Sequence, residues 1–108
     1  MIQPMAIRSE HMYSGSKPVR DPKYLQWIKR QASVVSGFGP CDPCHTGPHA
    51  TGQKSSDLSA IPLTRREHDQ FDADPRGFAE LHGLDIPNLI LQFNELYAQQ
   101  TELREKYA

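Results

Sequence analysis

Three aspartates at helix boundaries, each one or two residues before a proline, set the frame of this chain. Asp21-Pro22 pairs a side chain able to cap a helix with a ring whose fixed φ suits the first turn, Asp74-Pro75 stops the helix before it, and Asp85 and Pro87 open the last helix. Gly83 follows His82 where a left-handed residue ends a helix. These signals predict short helices over Lys23–Gln31, Arg65–Phe71 and Pro75–His82, and a long one opened by Asp85 and Pro87 that runs to about Lys106. The three-and-four spacing puts Tyr24, Trp27 and Ile28 on one face of the first helix. It lines up Ile86, Leu89, Ile90, Phe93, Leu96 and Tyr97 along the last, as core or as a dimer face. Residues 1–20, with Ser14-Gly15-Ser16 and Pro18 in a polar run, read as a weakly ordered segment, and residues 21–108 as a single domain.

Between the helices the pattern turns β-like. Ser33-Val34-Val35-Ser36 reads as a short strand, Gly37-Phe38-Gly39-Pro40 as a turn, and Cys41–His45 as the returning strand of a hairpin. Thr46–Ser59 is polar and reads as an extended loop, after which Ile61 and Leu63 anchor the next element. The class is therefore α+β, a short hairpin plus helix flanked by an N-terminal helix and a long C-terminal one. With 37% hydrophobic residues in 108 positions the core is modest, a size at which a metal or a partner often adds stability.

The net charge is −1, but it is unevenly spread. Residues 1–54 hold seven Lys/Arg against three Asp/Glu, and residues 55–108 hold five against ten. Lys17, Arg20, Lys23, Lys29 and Arg30 give the first half a basic surface that suits phosphates, or simply a solvated helix face. No apolar run of about 20 residues predicts a membrane span, and Met1–Glu10 lacks the apolar core of a secretion signal. The expected compartment is the cytoplasm, where a lasting Cys41–Cys44 disulfide is not favoured and metal or redox chemistry is the better reading.

The chemistry concentrates in Cys41-Asp42-Pro43-Cys44-His45-Thr46-Gly47-Pro48-His49 and in Arg65-Arg66-Glu67-His68-Asp69. A strand-borne imidazole followed by a helix-borne one can converge on one ion, and thiolate with imidazole suits zinc-like metals. His68 and Asp72, four apart on a helix, share a face and can both reach that ion.

From about residue 22 to residue 82 the chain resembles the HNH (ββα-metal) nucleases. Cys44-His45 stands where that family carries an Asp/His-His pair at the end of a strand, and Ile61-Pro62-Leu63-Thr64-Arg65-Arg66-Glu67-His68 where its last metal-binding histidine sits on a helix. His45-Thr46-Gly47-Pro48-His49, Gln53-Lys54-Ser55-Ser56-Asp57 and Ile61-Pro62-Leu63 are similar to phage and prophage members related to the recombination-enhancement (Ref-like) nucleases, which act with a recombinase. The resemblance implies a ββα-metal core and one-metal hydrolysis of DNA phosphodiesters. His45 would be the general base, with His49 an alternative base or ligand. Cys44, His68 and Asp72 would hold the ion, and Lys54, Arg65 and Arg66 would grip phosphate. DNA is the implied partner, with a recombinase as a second; monomer and homodimer both stay open.

The chain also departs from that pattern. Cys44 replaces the usual Asp or His, which favours zinc over magnesium or manganese and leaves the ion's identity open. The helper Asn, nine residues before the last histidine, is Ser59 here, with Asp57 two residues earlier; either is positioned to orient His45. Many relatives carry a structural zinc on four thiols, and the matching positions here are Ser33, Ser36, Thr64 and Glu67. Replacement of all four implies a fold held without structural zinc.

Three other readings compete. Cys41-x-x-Cys44-His45 matches a c-type haem attachment, but Met1, Met5 and Met12 all lie upstream, so no downstream Met is present as axial ligand. A thioredoxin-like site needs alternating strands and helices that the chain lacks. A catalytically degenerate HNH scaffold that binds nucleic acid or a protein partner is the non-enzymatic alternative.

Overall fold

The computed structural model describes residues 19–47 and 56–107. Helix α1 (Pro22–Lys29) leads to strand β1 (Asp42–His45). A 3-10 turn (Asp57–Ser59) precedes strand β2 (Ala60–Leu63), and helices α2 (Arg65–Ala73), α3 (Pro75–His82) and α4 (Ile86–Tyr107) follow. The α+β class and the flanking helices are as the sequence predicts. Of the segment 1–20 expected to be weakly ordered, residues 1–18 lie outside the described residues, as do the loop residues 48–55.

The caps explain the helix starts. Asp21 accepts the Tyr24 N–H at 3.1 Å, Asp74 the Gly77 N–H at 3.1 Å and Asp85 the Asn88 N–H at 3.2 Å. A Cβ at Gly77 would crowd the capping Asp74 carboxylate, which would have to shift. At α2 the Thr64 hydroxyl takes the Glu67 N–H while Glu67 reaches back to the Thr64 N–H, a full capping box. Gly83 ends α3 at φ +64°, where a side chain would strain the backbone.

The hairpin is not the one predicted. β1 pairs antiparallel with β2, in the register Asp42 to Leu63, Pro43 to Pro62, Cys44 to Ile61 and His45 to Ala60. Ser33–Ser36 lies in turns instead. The Ser33 hydroxyl accepts the N–H groups of Val35 and Ser36, at 2.9 and 3.1 Å, which curls the backbone out of a strand. Only Val34 reaches the ladder, donating to the Pro62 carbonyl at 3.2 Å, a carbonyl that the facing Pro43 has no N–H to satisfy.

Two apolar clusters meet along α4. Cys44, Ile61, Leu63, Phe71 and Phe78 form one, backed by Leu84, Ile86, Leu89, Ile90 and Phe93. Tyr24, Trp27 and Ile28 form the other, backed by Leu58, Phe93 and Tyr97, so Phe93 joins both. Burying each large apolar side chain contributes about 1.5–3 kcal/mol. Leu96 is an exception to the predicted stripe: it is 47% exposed, one residue off the face that Phe93 and Tyr97 turn to the core. Asn94 pins α4 across the second cluster by donating to the Tyr24 hydroxyl at 2.8 Å and to the Leu58 carbonyl at 2.9 Å.

Candidate metal and acid-base centre

Cys44 and His45 are consecutive residues of β1, about 3.8 Å apart at Cα, with side chains on opposite faces of the ladder. Cys44 points inward beneath α2 and is fully buried. Burial pushes its thiol up to about 12; Asp72 and then Asp42 add to the rise, and Arg65 opposes it. One thiol, one imidazole and one carboxylate gather there: ligand atoms of Cys44, His68 and Asp72 all lie within 4.8 Å of one another.

The pairing of His68 and Asp72 follows from their spacing on α2, which stacks residues four apart. His68 Nε2 is 3.5 Å from Asp72 Oδ2. Ligands of a tetrahedral ion with bonds of about 2.1 Å sit roughly 3.4 Å apart, so this separation suits a shared ion. The other ring nitrogen, Nδ1, is buried without a hydrogen-bond partner, and Asp42 Oδ2 stands 3.5 Å from it in the same condition. Arg65 Nη1 reaches that Asp42 oxygen at 2.7 Å as an ion pair, without hydrogen-bond alignment. The donor set therefore fits a borderline divalent ion. Among the described residues three such donors gather, the number that a catalytic zinc site takes from protein.

His45 faces the 3-10 turn. Its Nε2 is 2.8 Å from Asp57 Oδ1, and its side chain is 28% exposed. Asp57 is buried and well held: Oδ2 accepts the Asp21 N–H at 2.7 Å, and Arg20 Nη1 lies 3.3 Å from Oδ1. Burial alone would raise this carboxyl. The hydrogen bonds from His45 and the Asp21 N–H, with the charges of His45 and Arg20, outweigh it and hold the group below the usual carboxylate range.

Of the two helpers considered, Asp57 meets His45 and Ser59 does not. The Ser59 hydroxyl donates to the Ser56 carbonyl at 2.7 Å and accepts the Gly47 N–H at 3.3 Å. Its carbonyl takes the Thr46 hydroxyl at 2.8 Å, so Ser59 fastens the loop after β1 instead of touching the imidazole. Arg65 is exposed and ion-paired to Asp42 and to Asp69, both at 2.7 Å. Arg66 is exposed. His49 and Lys54 lie outside the described residues.

The sequence reading missed Asp42. Its place two residues before Cys44 on a strand is a usable signal, because period-two alternation sends both toward the same face. Cys41 is a second neighbour with a structural part: its free thiol donates to the Phe38 carbonyl at 3.4 Å, and burial, then Glu67 and Asp42, raise its pKa.

The four positions matching the structural-zinc thiols are joined by hydrogen bonds. Ser33 Oγ donates to Glu67 Oε1 at 2.6 Å, the same oxygen accepts the Thr64 N–H at 2.9 Å, and the Ser36 N–H comes to Ser33 Oγ. Burial would raise the Glu67 carboxyl, but bonds from Ser33, Thr64 and Ser36 hold it low.

A family model described as a protein of unknown function (DUF968) matches residues 14–99. The chain belongs to the DUF968 family. The "Uncharacterized protein YdfU" of Escherichia coli (strain K12) is 32% identical over 74 residues, which cover 66% of this chain and 21% of the relative. The chain thus spans about a fifth of that relative's length. No solved structure matches. Among the described residues, no helix is long and apolar enough to cross a membrane.

Proposed function

We propose that this DUF968 chain is a metal-dependent endonuclease of the HNH type that hydrolyses DNA phosphodiesters in the cytoplasm. The observation that carries the reading is a His45–Asp57 pair borne on the strand residue next to Cys44, whose thiol meets His68 and Asp72.

The chemistry follows from the parts. In the tautomer whose Nε2–H is donated to Asp57, the His45 Nδ1 lone pair would take a proton from an attacking water. Asp57 fixes the ring and stabilises the imidazolium that forms, as a buried carboxylate does for a catalytic histidine. The water oxygen bonds to phosphorus and the P–O bond to the leaving sugar oxygen breaks. A divalent ion on Cys44, His68 and Asp72 would supply positive charge to the developing phosphorane and the leaving oxygen. Asp42, ion-paired with Arg65 and 3.5 Å from His68 Nδ1, would orient the ring by closing to hydrogen-bond distance when the ion is bound.

The test is cleavage of plasmid and single-stranded DNA by metal-stripped protein with magnesium, manganese, zinc or nickel restored separately, and His45→Ala alongside. Metal-dependent cutting lost in His45→Ala supports the proposal. No cutting with any ion, despite measured metal binding, leaves the degenerate binding scaffold in its place.

A further inference from the structure

A groove of about 180 Å³ runs between α1 and the C-terminal part of α4, away from the metal cluster. Each helix contributes residues at the same spacing. Lys23, Gln26, Trp27 and Arg30 come from α1 and its C-cap; Tyr97, Gln100, Thr101 and Arg104 come from α4. Residues at i, i+3, i+4 and i+7 form one helix face, so the two faces look at each other along their length.

Charge in this groove has one sign. Lys23, Arg30 and Arg104 line it, and no acidic residue does, although α4 belongs to the acidic half of the chain. The helical spacing turns Glu95 and Glu102 of α4 to other faces, and Glu105, one turn beyond Thr101, stands at the groove's outer edge. None of the three cations enters an ion pair among the described residues. Trp27 forms the floor: it is 4% exposed, and its indole N–H donates to Gln100 Oε1 at 2.8 Å. A buried ring with its donor engaged offers no open face on which a base can stack. What the groove presents is positive charge spread over two turns of α1, roughly 10 Å, with amides beside it.

We infer that this α1–α4 groove binds the phosphodiester backbone of a nucleic-acid strand, without regard to sequence. Charge complementarity supplies the affinity, and contacts to phosphates carry no sequence information of their own. The inference rests on the nuclease reading for the choice of polyanion. Helix α1 links the two places: the N–H of its N-cap Asp21 holds the Asp57 carboxylate, and Lys23 follows two residues later. The Lys23 end of the groove is thus the end of α1 that contacts Asp57.

The experiment is fluorescence anisotropy of a labelled 20-nucleotide single strand with full-length His45→Ala protein, titrated at several salt concentrations. The comparison proteins carry Lys23→Gln, Arg30→Gln and Arg104→Gln together in that background, or Gln26→Glu alone. Three lost phosphate contacts should flatten the log–log salt slope by about two, at roughly 0.7 per contact for single strands. Affinity at low salt should fall at least tenfold, and Gln26→Glu should weaken binding without removing any cation. Arg76→Gln, an exposed charge on α3, is the control for general electrostatics. Equal affinity and slope in parent and triple variant, an equal loss with Arg76→Gln, or no binding by the parent would overturn the groove. Binding is read apart from cutting: a parent that binds with the full slope while the wild type cuts nothing supports the groove and removes the nuclease reading.

Discussion

His45 Nε2 lies 2.8 Å from Asp57 Oδ1, across twelve residues of sequence, and the carboxylate is 7% exposed at its side chain while the imidazole is 28% exposed. The buried partner is the fixed one, so the ring is oriented from the protein side and free on the solvent side. Asp57→Asn keeps the shape and removes the charge that balances an imidazolium. It should lower the cleavage rate by about 10²- to 10⁴-fold, with metal affinity unchanged. Single-turnover cleavage and a zinc titration on the same protein check this; a rate within threefold of wild type would remove Asp57 from the reaction.

Acid should weaken the fold through the Ser33–Glu67 junction. The folded-state Glu67 carboxyl lies below its usual value, so its stabilisation is full above the unfolded-state pKa. That stabilisation is lost as pH falls from the ordinary carboxylate range through the lowered folded value. Glu67→Gln should therefore cost about 1–3 kcal/mol at pH 7 and almost nothing at the acid end. Urea unfolding at a series of pH values reads the difference. Parallel curves for the two proteins would show that the carboxylate contributes no pH-linked stability.

Helix boundaries were legible because their signals are local. Asp21, Asp74 and Asp85 cap through their own side chains a few residues away, and Gly83 ends α3 by its own φ. Strand pairing was not, because it depends on a partner. Val34 and Val35 have β propensity, yet the Ser33 hydroxyl captures the following N–H groups, and β1 finds Ala60–Leu63 beyond a loop. The candidate site divides the same way. His68 and Asp72 share a helix face by spacing alone, whereas the choice of Asp57 over Ser59 needed the 3-10 turn, which sends Asp57 inward and ties Ser59 to Ser56. Asp42 was hidden because its partners, Arg65 and His68, come from α2.

Metal uptake should release a proton from Cys44. Without an ion the thiol stays protonated at neutral pH, since burial first and Asp72 next raise it to about 12. Below that value each unit drop in pH makes thiolate about tenfold scarcer, so zinc affinity should fall by about tenfold per unit from this group. Calorimetric titrations in two buffers of different ionisation enthalpy count the released proton. Cys44→Asp should shift preference from zinc toward magnesium and manganese. Zinc affinity that is flat with pH between 6 and 8 (roughly, the range where the thiol is neutral) would place the thiol outside the coordination.

Asp42 should govern His68 without touching the ion. Its Oδ2 lies 3.5 Å from the buried His68 Nδ1, and Arg65 holds the carboxylate from outside at 2.7 Å. A histidine ligand braced by a carboxylate keeps its ring orientation and tautomer, and loss of such a brace typically weakens metal binding by about 10- to 100-fold. Asp42→Asn should fall in that range for zinc, while His68→Ala should lose nearly all affinity. Arg65→Gln, which frees Asp42 but leaves it charged, should fall between wild type and Asp42→Asn. Competition with a chromogenic chelator ranks the four proteins. The imidazole proton resonances give a second readout: a sharp, protected Nδ1–H signal in the zinc-loaded wild type that vanishes in Asp42→Asn. Wild-type affinity in Asp42→Asn, with that signal retained, would show that His68 is held by packing under α2 and not by the carboxylate.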